Sequence, residues 1–226
     1  MNTSASPVSS LVDLAYARLG QNIAFLDYAP GQHLEEKQLM ADLGLGRTPI
    51  REALLRLSAD MVVERRPKSG YFVRDITLQS TKAAFDALYL LESGLADLAV
   101  RHDCTRELET MRQCNETMHI HVEHNNIREL VEANEAFHAG LARCTRNEFL
   151  VQALARVRTE IKRLSYLSFS QDVHPDHSLQ GHYHGVLQEH RAMLDALSAR
   201  KAQTLRDLLT SHTKTFQQRI MHTMMT

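Results

Sequence analysis

Histidine is the residue type that stands out in this sequence: there are 13, and no tryptophan. Asn134 and His138 lie four residues apart in the string Asn134-Glu-Ala-Phe-His138, a spacing that places both side chains on one face of a helix. Such a pair can offer two ligands to one metal ion. His190 and His212 stand singly in two later helical segments. A single helical histidine is more often a core or surface residue than a ligand, so spacing alone leaves both interpretations open.

A second chemical pattern lies nearer the N-terminus, where Arg47 and Arg51 are four residues apart. Thr48 suits the N-cap of a helix and Pro49 suits its first turn. Both guanidinium groups then project from the leading end of that helix, where arginine can pair with guanine or with phosphate. Residues 47–74 hold seven Lys or Arg against three Asp or Glu. This composition predicts a basic face, although a solvated surface would have the same composition.

The elements that position these arginines are predicted from periodicity and from glycine and proline breaks. They are a helix over 11–19 closed by Gly20, a helix over 34–43 stopped by Gly44, a helix over 48–59, and strands over 62–65 and 71–74 joined by the turn Pro67-Lys-Ser-Gly70. Residues 1–10 are expected to form a flexible arm. The order of elements is that of a winged helix-turn-helix, in which the N-terminus of the third helix enters the major groove.

After Ile76 the pattern becomes helical throughout. Six helical segments are predicted, over residues 78–102, 105–124, 127–144, 147–169, 179–199 and 202–222. We therefore expect a mostly α protein with two domains. Residues 11–76 form the winged helix-turn-helix, and residues 77–226 form an antiparallel six-helix bundle.

Composition excludes several classes of protein. Hydrophobic residues make up 43% of the chain, charged residues 23%, and the formal net charge is −1, which excludes a disordered or polybasic chain. No apolar run approaches the roughly 18 residues of a membrane span, and no signal peptide pattern is present. The three cysteines form no CxxC motif, which fits reduced thiols. The expected location is the cytoplasm, without membrane attachment.

The first 74 residues resemble the DNA-binding domain of GntR-family regulators. The resemblance lies in Pro30-Gly31, Leu34-Glu-Glu-Lys-Gln-Leu39, Leu43-Gly44 and Arg47-Thr-Pro-Ile-Arg-Glu-Ala-Leu54, and continues through Arg56-Leu57, Gly70 and Val73. It implies binding to a double-stranded DNA operator. The residues it implies as DNA contacts are Lys37, Arg47, Thr48 and Arg51, with Ser69 and Gly70 at the wing tip reaching the minor groove.

Two positions depart from that family's pattern. Gly46 stands where Ser or Thr is usual, so one side-chain bond to phosphate is missing. Met61 stands where Gly is usual after the third helix, and a positive φ at this residue would cost roughly 1 kcal/mol. Neither departure removes the motif.

The six C-terminal helices, with their Asn-x-x-Phe-His string and two later histidines, resemble the FadR-type FCD ligand domain, nearer its six-helix VanR subgroup. The resemblance implies that Asn134, His138, His190 and His212 bind a divalent metal beside an effector, commonly an organic acid, and that the bundle dimerises. An Asn where the family also uses Asp leaves the site one negative charge poorer. Three imidazoles and an amide oxygen suit Zn²⁺ or Ni²⁺ better than Mg²⁺ or Ca²⁺.

The effector pocket departs from the family in its first bundle helix. Where an Arg usually stands four residues before Glu92, this chain has Leu88, with Tyr89 beside it. A simple dicarboxylate effector is therefore disfavoured, unless Arg158 or Arg163 holds the anion instead. These five residues form the predicted effector pocket.

The function that follows is a homodimeric, ligand-responsive repressor that binds a palindromic operator. One alternative is a regulator whose signal is the metal itself, without an organic effector. A more remote alternative is a metal-dependent hydrolase built in the bundle. The sequence contains no HExxH, G-x-S-x-G, P-loop or G-x-G-x-x-G motif, so we expect no enzyme.

Overall fold

The structure is a computed structural model, and it describes residues 10–170 and 179–225. The chain divides into two compact units, Met1–Ile76 and Thr77–Thr226. The first is a small helical unit with a three-stranded sheet, and the second is all helical within its described residues. The predicted fold class, mostly α with a winged helix-turn-helix before a helical bundle, is confirmed.

Between residues 10 and 76, the described part of the N-terminal unit, there are three helices and three short strands. In chain order they are α1 (Leu11–Ala24), β1 (His33–Leu34), α2 (Glu36–Leu43), α3 (Arg47–Ala59), β2 (Val63–Arg66) and β3 (Gly70–Val73). The sheet has the order β1-β3-β2, and both pairings are antiparallel. β2 and β3 form the wing.

Local signals explain where these helices begin and end. Ser10 caps α1 by accepting a hydrogen bond at Oγ from the backbone N–H of Asp13, while the Asp13 carboxylate accepts from the Ser10 N–H. Gly44 ends α2 in the left-handed conformation, with φ of 65°. The helices then bury one face each in a shared core, in which α3 packs against α1, α2 and β2. That core is formed by Ala15, Leu19, Ile23, Leu34, Leu39, Ile50, Ala53, Leu54, Leu57, Val62, Val63 and Val73.

Several predicted boundaries in this unit were wrong. Gly20 does not close α1, because the helix continues to Ala24 and its last turn is buried. Packing of Ile23 and Ala24 outweighs the roughly 1 kcal/mol cost of a glycine inside a helix. His33 and Leu34 form a third strand against β3 rather than the start of α2. Ser10, placed in the arm, is the N-cap of α1; the other residues of the arm, 1–9, lie outside the described chain.

The start of α3 also differs from the prediction. Gly46 is the N-cap, and it contributes no side-chain hydrogen bond. Thr48 is therefore the second residue of the helix rather than its cap, and its side chain is exposed.

Met61, directly after α3, has the positive φ that its position in the sequence suggested. Its φ is 58°, and its side chain is 60% exposed, so it buries little apolar surface in return. The left-handed conformation costs a non-glycine residue roughly 1 kcal/mol. The wing therefore begins at a strained residue.

The C-terminal unit contains six helices among its described residues. They are α4 (Leu78–Ala99), α5 (Thr105–Glu123), α6 (Ile127–Arg143), α7 (Glu148–Ser170), α8 (Leu179–Ser198) and α9 (Ala202–Met225). α6 packs against α5 and α7, α8 packs against α5 and α9, and α9 also packs against α4 and α7. Residues from α4, α6, α7, α8 and α9 consequently face one interior.

Candidate functional site

The N-terminal unit has a basic concavity beside the wing, which we name the wing groove. Its lining residues are His33–Lys37, Arg51 and Arg65–Tyr71. Five of them are Lys or Arg and two are carboxylates, so the groove is electropositive. Of the predicted DNA contacts, Lys37, Arg51, Ser69 and Gly70 line this groove, and Arg47 and Thr48 are exposed at the N-terminus of α3.

Glu36 of α2 joins the two arginines of α3. Its carboxylate forms an ion pair with Nε of Arg47 at 3.3 Å and with Nε of Arg51 at 3.2 Å. Arg47 and Arg51 nevertheless remain 71% and 63% exposed. Glu36 thus holds two long side chains in place while leaving them accessible to solvent.

Three imidazoles meet inside the C-terminal unit, and we name them the histidine triad. His138 comes from α6, His190 from α8 and His212 from α9, and their potential ligand atoms all lie within 4.8 Å of one another. Their ring centroids are 5.2 to 5.3 Å apart. This spacing allows one ion to be shared by all three rings after small side-chain rotations. Asn134, one turn before His138, lines the cavity next to the triad.

The hydrogen bonding of the triad is incomplete in a way that suits a metal. His138 and His190 are buried, and within the described chain neither ring nitrogen of either residue has a hydrogen-bond partner. Each unsatisfied buried polar group costs about 1–3 kcal/mol. The third ring differs, because Nδ1 of His212 lies 2.6 Å from Oε2 of Glu189, which leaves Nε2 as the ligand atom.

Burial also favours the uncharged form of two of these rings. It lowers the pKa of both His138 and His190 well below 6.5, with further contributions from Arg158 and from the neighbouring imidazoles. Neutral imidazole is the form that binds metal. The environment therefore favours the ligating form near neutral pH.

These pKa shifts predict how metal-free protein responds to acid. The unfolded chain takes up protons on both histidines near pH 6.5, whereas the folded rings resist protonation, so the free energy of unfolding falls as pH drops below 6.5. The limiting slope is about 1.4 kcal/mol per pH unit for each residue. Denaturant titrations between about pH 7.5 and 5.5 should show a smaller slope for His138→Gln than for wild type. Equal slopes for the two proteins would contradict the lowered pKa of His138 in the folded state.

A cavity opens beside the triad. It has a volume of about 670 Å³, including its opening to solvent. The lining residues are Leu88, Asn134, His138, Arg158, Ile161, Ser165, Phe169, His182, Tyr183, Gly185, Val186, Glu189, His212, Thr213, Thr215 and Phe216. Two triad members, His138 and His212, form part of its wall.

Arg158 is held by two carboxylates. Its Nε and Nη2 donate to the two oxygens of Glu135 at 2.9 and 3.0 Å, and Nη1 donates to Oε1 of Glu92 at 3.2 Å. Burial raises the pKa of Glu92, while Arg158 and the hydroxyl of Thr213 oppose that rise. The three side chains form one buried network behind the cavity wall.

Three residues predicted to line the pocket lie elsewhere. Tyr89 is directed to Gln217, with its hydroxyl donating to Oε1 at 3.2 Å. Glu92 is buried beneath Arg158, and Arg163 is fully buried with Nη1 donating to Glu160 at 2.7 Å. Only Leu88 and Arg158 of the predicted pocket line the cavity.

Sequence reasoning missed the carboxylates of both sites. Glu189 orients His212 from another helix, so no spacing along the chain relates the two residues. Glu135 follows Asn134 directly and could have been noticed, but its partner is 23 residues away. Glu36 lies in the string Leu34-Glu-Glu-Lys-Gln-Leu39 that resembles the GntR family. Its negative charge, followed along the chain by Arg47 and Arg51, could have suggested these ion pairs.

Comparisons with protein families match both units. Residues 11–73 match the family described as bacterial regulatory proteins, gntR family. Residues 83–215, more than half of the chain, match the FCD domain. None of the helices that the structure describes is long and apolar enough to cross a membrane.

Individual relatives agree with this. The HTH-type transcriptional repressor RspR of Escherichia coli K12 is 21% identical over 212 residues, covering 94% of this chain and 90% of its own. The solved structure of E. coli McbR/YncC has a TM-score of 0.79 at 20% identity, covering 91% of this chain and 94% of that chain. A GntR-type regulator from Rhodococcus sp. RHA1 has a TM-score of 0.74 at 19% identity, covering 93% and 97%. The chain therefore belongs to the GntR family and carries an FCD domain, which makes it a DNA-binding transcriptional regulator.

Proposed function

We propose that this regulator is a homodimeric, ligand-responsive repressor that binds a palindromic operator. A divalent ion sits in its histidine triad and a small-molecule effector in the adjoining cavity. The observation that carries the proposal is the pair of buried imidazoles, His138 and His190, whose nitrogens have no partner within the described residues, next to a cavity that opens to solvent. Buried polar groups without partners are uncommon in a protein core, and a bound ion would satisfy one nitrogen of each ring.

The DNA-binding half of the proposal depends on the wing groove. Arg47, Thr48 and Arg51 are exposed on α3, which is placed to contact base edges, while Lys37 and Ser69-Gly70 are placed to contact the backbone. Two copies of this unit related by a two-fold axis require a palindromic site. The proposal that the protein represses transcription, rather than activating it, is supported by the name of the relative RspR. We place the protein in the cytoplasm, where its DNA is found.

The metal half depends on the donor set. His138, His190 and His212 would hold the ion, with Asn134 as a fourth ligand, and Zn²⁺ or Ni²⁺ suits three imidazoles best. When bound, the ion supplies a positive charge and open coordination positions beside the cavity. Glu189 fixes the orientation of His212, as carboxylates commonly do for ligating histidines. We assign no catalytic reaction, since the relatives are named as regulators.

A regulator that responds to metal alone is the alternative, and an operator titration separates the two. Selection from random duplex DNA with the zinc-loaded full chain should enrich an inverted repeat. The operator Kd is then measured with zinc and after chelation. A change of about fivefold or more on zinc alone favours the metal-responsive alternative, and a smaller change favours an organic effector as the signal. Failure to enrich any inverted repeat would contradict the proposed dimeric operator.

A further inference from the structure

The cavity beside the triad has only one Lys or Arg among its described lining residues, Arg158. That guanidinium is already bound to protein carboxylates, with Nε and Nη2 forming a two-pronged contact to Glu135 and Nη1 bonded to Glu92. The side chain is 9% exposed. A ligand carboxylate would have to displace Glu135 to gain the same paired geometry.

The balance of charge around Arg158 leads to the same conclusion. Two carboxylates face one guanidinium, and Glu135 alone cancels it even when Glu92 is counted as neutral. A third carboxylate, Glu189, is part of the cavity wall and is engaged by His212. A second anionic group on a ligand would therefore find no unpaired Lys or Arg among the described lining residues, and removing it from water without such a partner is costly.

The rest of the wall combines apolar side chains with hydroxyl and imidazole groups. Its aliphatic and aromatic members are Leu88, Ile161, Phe169, Tyr183, Val186 and Phe216, and its other polar members are Ser165, His182, Thr213 and Thr215. The rings of Phe169 and Phe216 are stacked, with centroids 6.5 Å apart and an interplanar angle of 27°. Leu88 is 2% exposed in the first helix of the bundle, so this side of the cavity offers no charge to a ligand. These side chains fit a hydrocarbon body.

We propose that the effector is a monocarboxylic acid with an apolar body, and that dicarboxylic acids are excluded. The inference rests on the proposed function of the cavity and specifies its ligand class. The single carboxylate lies at the end formed by His138, His212 and Asn134, where a bound ion supplies the positive charge. The apolar body lies against Phe169 and Phe216. Arg158 serves as a structural cation that closes the far wall.

The test is calorimetry on the zinc-loaded full chain with matched acids: hexanoate against adipate, and benzoate against terephthalate. The monoacid of at least one pair should bind about tenfold or more tightly than its diacid. Equal or tighter binding of the diacids overturns the inference, and so does the absence of binding by both monoacids. Zinc uptake is measured first in the same preparation. A chain that takes up no zinc contradicts the proposed function, whereas a chain that takes up zinc and binds a diacid as tightly as its matched monoacid overturns only the inference.

A variant isolates the role of the protein carboxylates. Glu135→Gln removes the carboxylate that neutralises one side of the Arg158 guanidinium. The ratio of the diacid Kd to the monoacid Kd should therefore fall by about tenfold, which is the contribution of one charge-assisted hydrogen bond. Glu132→Gln, on the same helix, is the matched control, since Glu132 pairs with Lys162 and does not line the cavity. It should leave the preference unchanged. Should Glu135→Gln fail to fold, Glu92→Gln removes the other partner of Arg158. An unchanged preference in a folded variant of either kind overturns the assignment of Arg158.

Discussion

Replacing Arg51 by alanine is expected to weaken operator binding by about 1–3 kcal/mol and to relax specificity at one base pair. Arg51 is exposed in the wing groove near the N-terminus of α3, and Glu36 holds it in place. An arginine fork positioned this way can pair with guanine O6 and N7. Gel-shift titrations with the selected operator and its single-base variants measure both effects. Operator binding as tight as that of wild type would contradict the role assigned to α3.

Two other substitutions serve as comparisons. Lys37→Ala should weaken binding to all sequences alike and flatten the salt dependence, because a phosphate contact carries no sequence information. Arg56→Ala is the control on the same helix. Arg56 donates to Asp13 at 2.7 Å and lies over the ring of Tyr16, so it supports the fold rather than facing DNA. The Arg56→Ala substitution should lower the free energy of unfolding and leave the base preference of the folded protein unchanged.

Removing metal from the protein is expected to lower its melting temperature by about 5–10 °C. Binding to the folded state alone contributes about 2.7 kcal/mol at a hundredfold excess of ion over Kd. Each kcal/mol corresponds to about 2–4 °C for a chain of this size. Because the imidazoles must be neutral to bind, the gain should fade below about pH 6. Melting curves with zinc and with a chelator measure the difference.

Variants of the triad complete that experiment. His138→Ala and His190→Ala should melt at the same temperature with zinc and with chelator. His124→Ala removes an exposed imidazole at the C-cap of α5, where it is bonded to Ile120 O, so this variant should keep the full zinc response. If purified protein holds no metal, and added Zn²⁺ or Ni²⁺ leaves the wild-type curve unchanged, the triad is a set of ordinary histidines.

Much of the fold could be predicted from local patterns. The six bundle helices follow the apolar periodicity within a few residues at each end, because breaks such as Asn125-Asn126 interrupt it clearly. The errors came where tertiary packing outweighed local preference. Gly20 stays helical because Ile23 and Ala24 are buried, and His33-Leu34 becomes a strand because β3 lies beside it. Neither fact is visible along the chain.

Less of the candidate sites than of the fold could be predicted from the sequence. Spacing joined only Asn134 to His138; His190 and His212 were added by family resemblance, and the structure brings the three histidines together. The pairing of Arg158 with Glu92 and Glu135 could not be predicted, because it joins three helices. In the structure Arg158 lines the cavity and is bound to both carboxylates, whereas the sequence had suggested it as a ligand for an anion.

The most direct measurement of the histidine triad is anomalous scattering at the zinc edge from crystals of the zinc-loaded full chain. One peak per chain is expected between His138, His190 and His212, with bonds of about 2.0–2.1 Å to each imidazole. A peak confined to exposed histidines, or none at all at the triad, would contradict the assignment of a metal centre to this bundle.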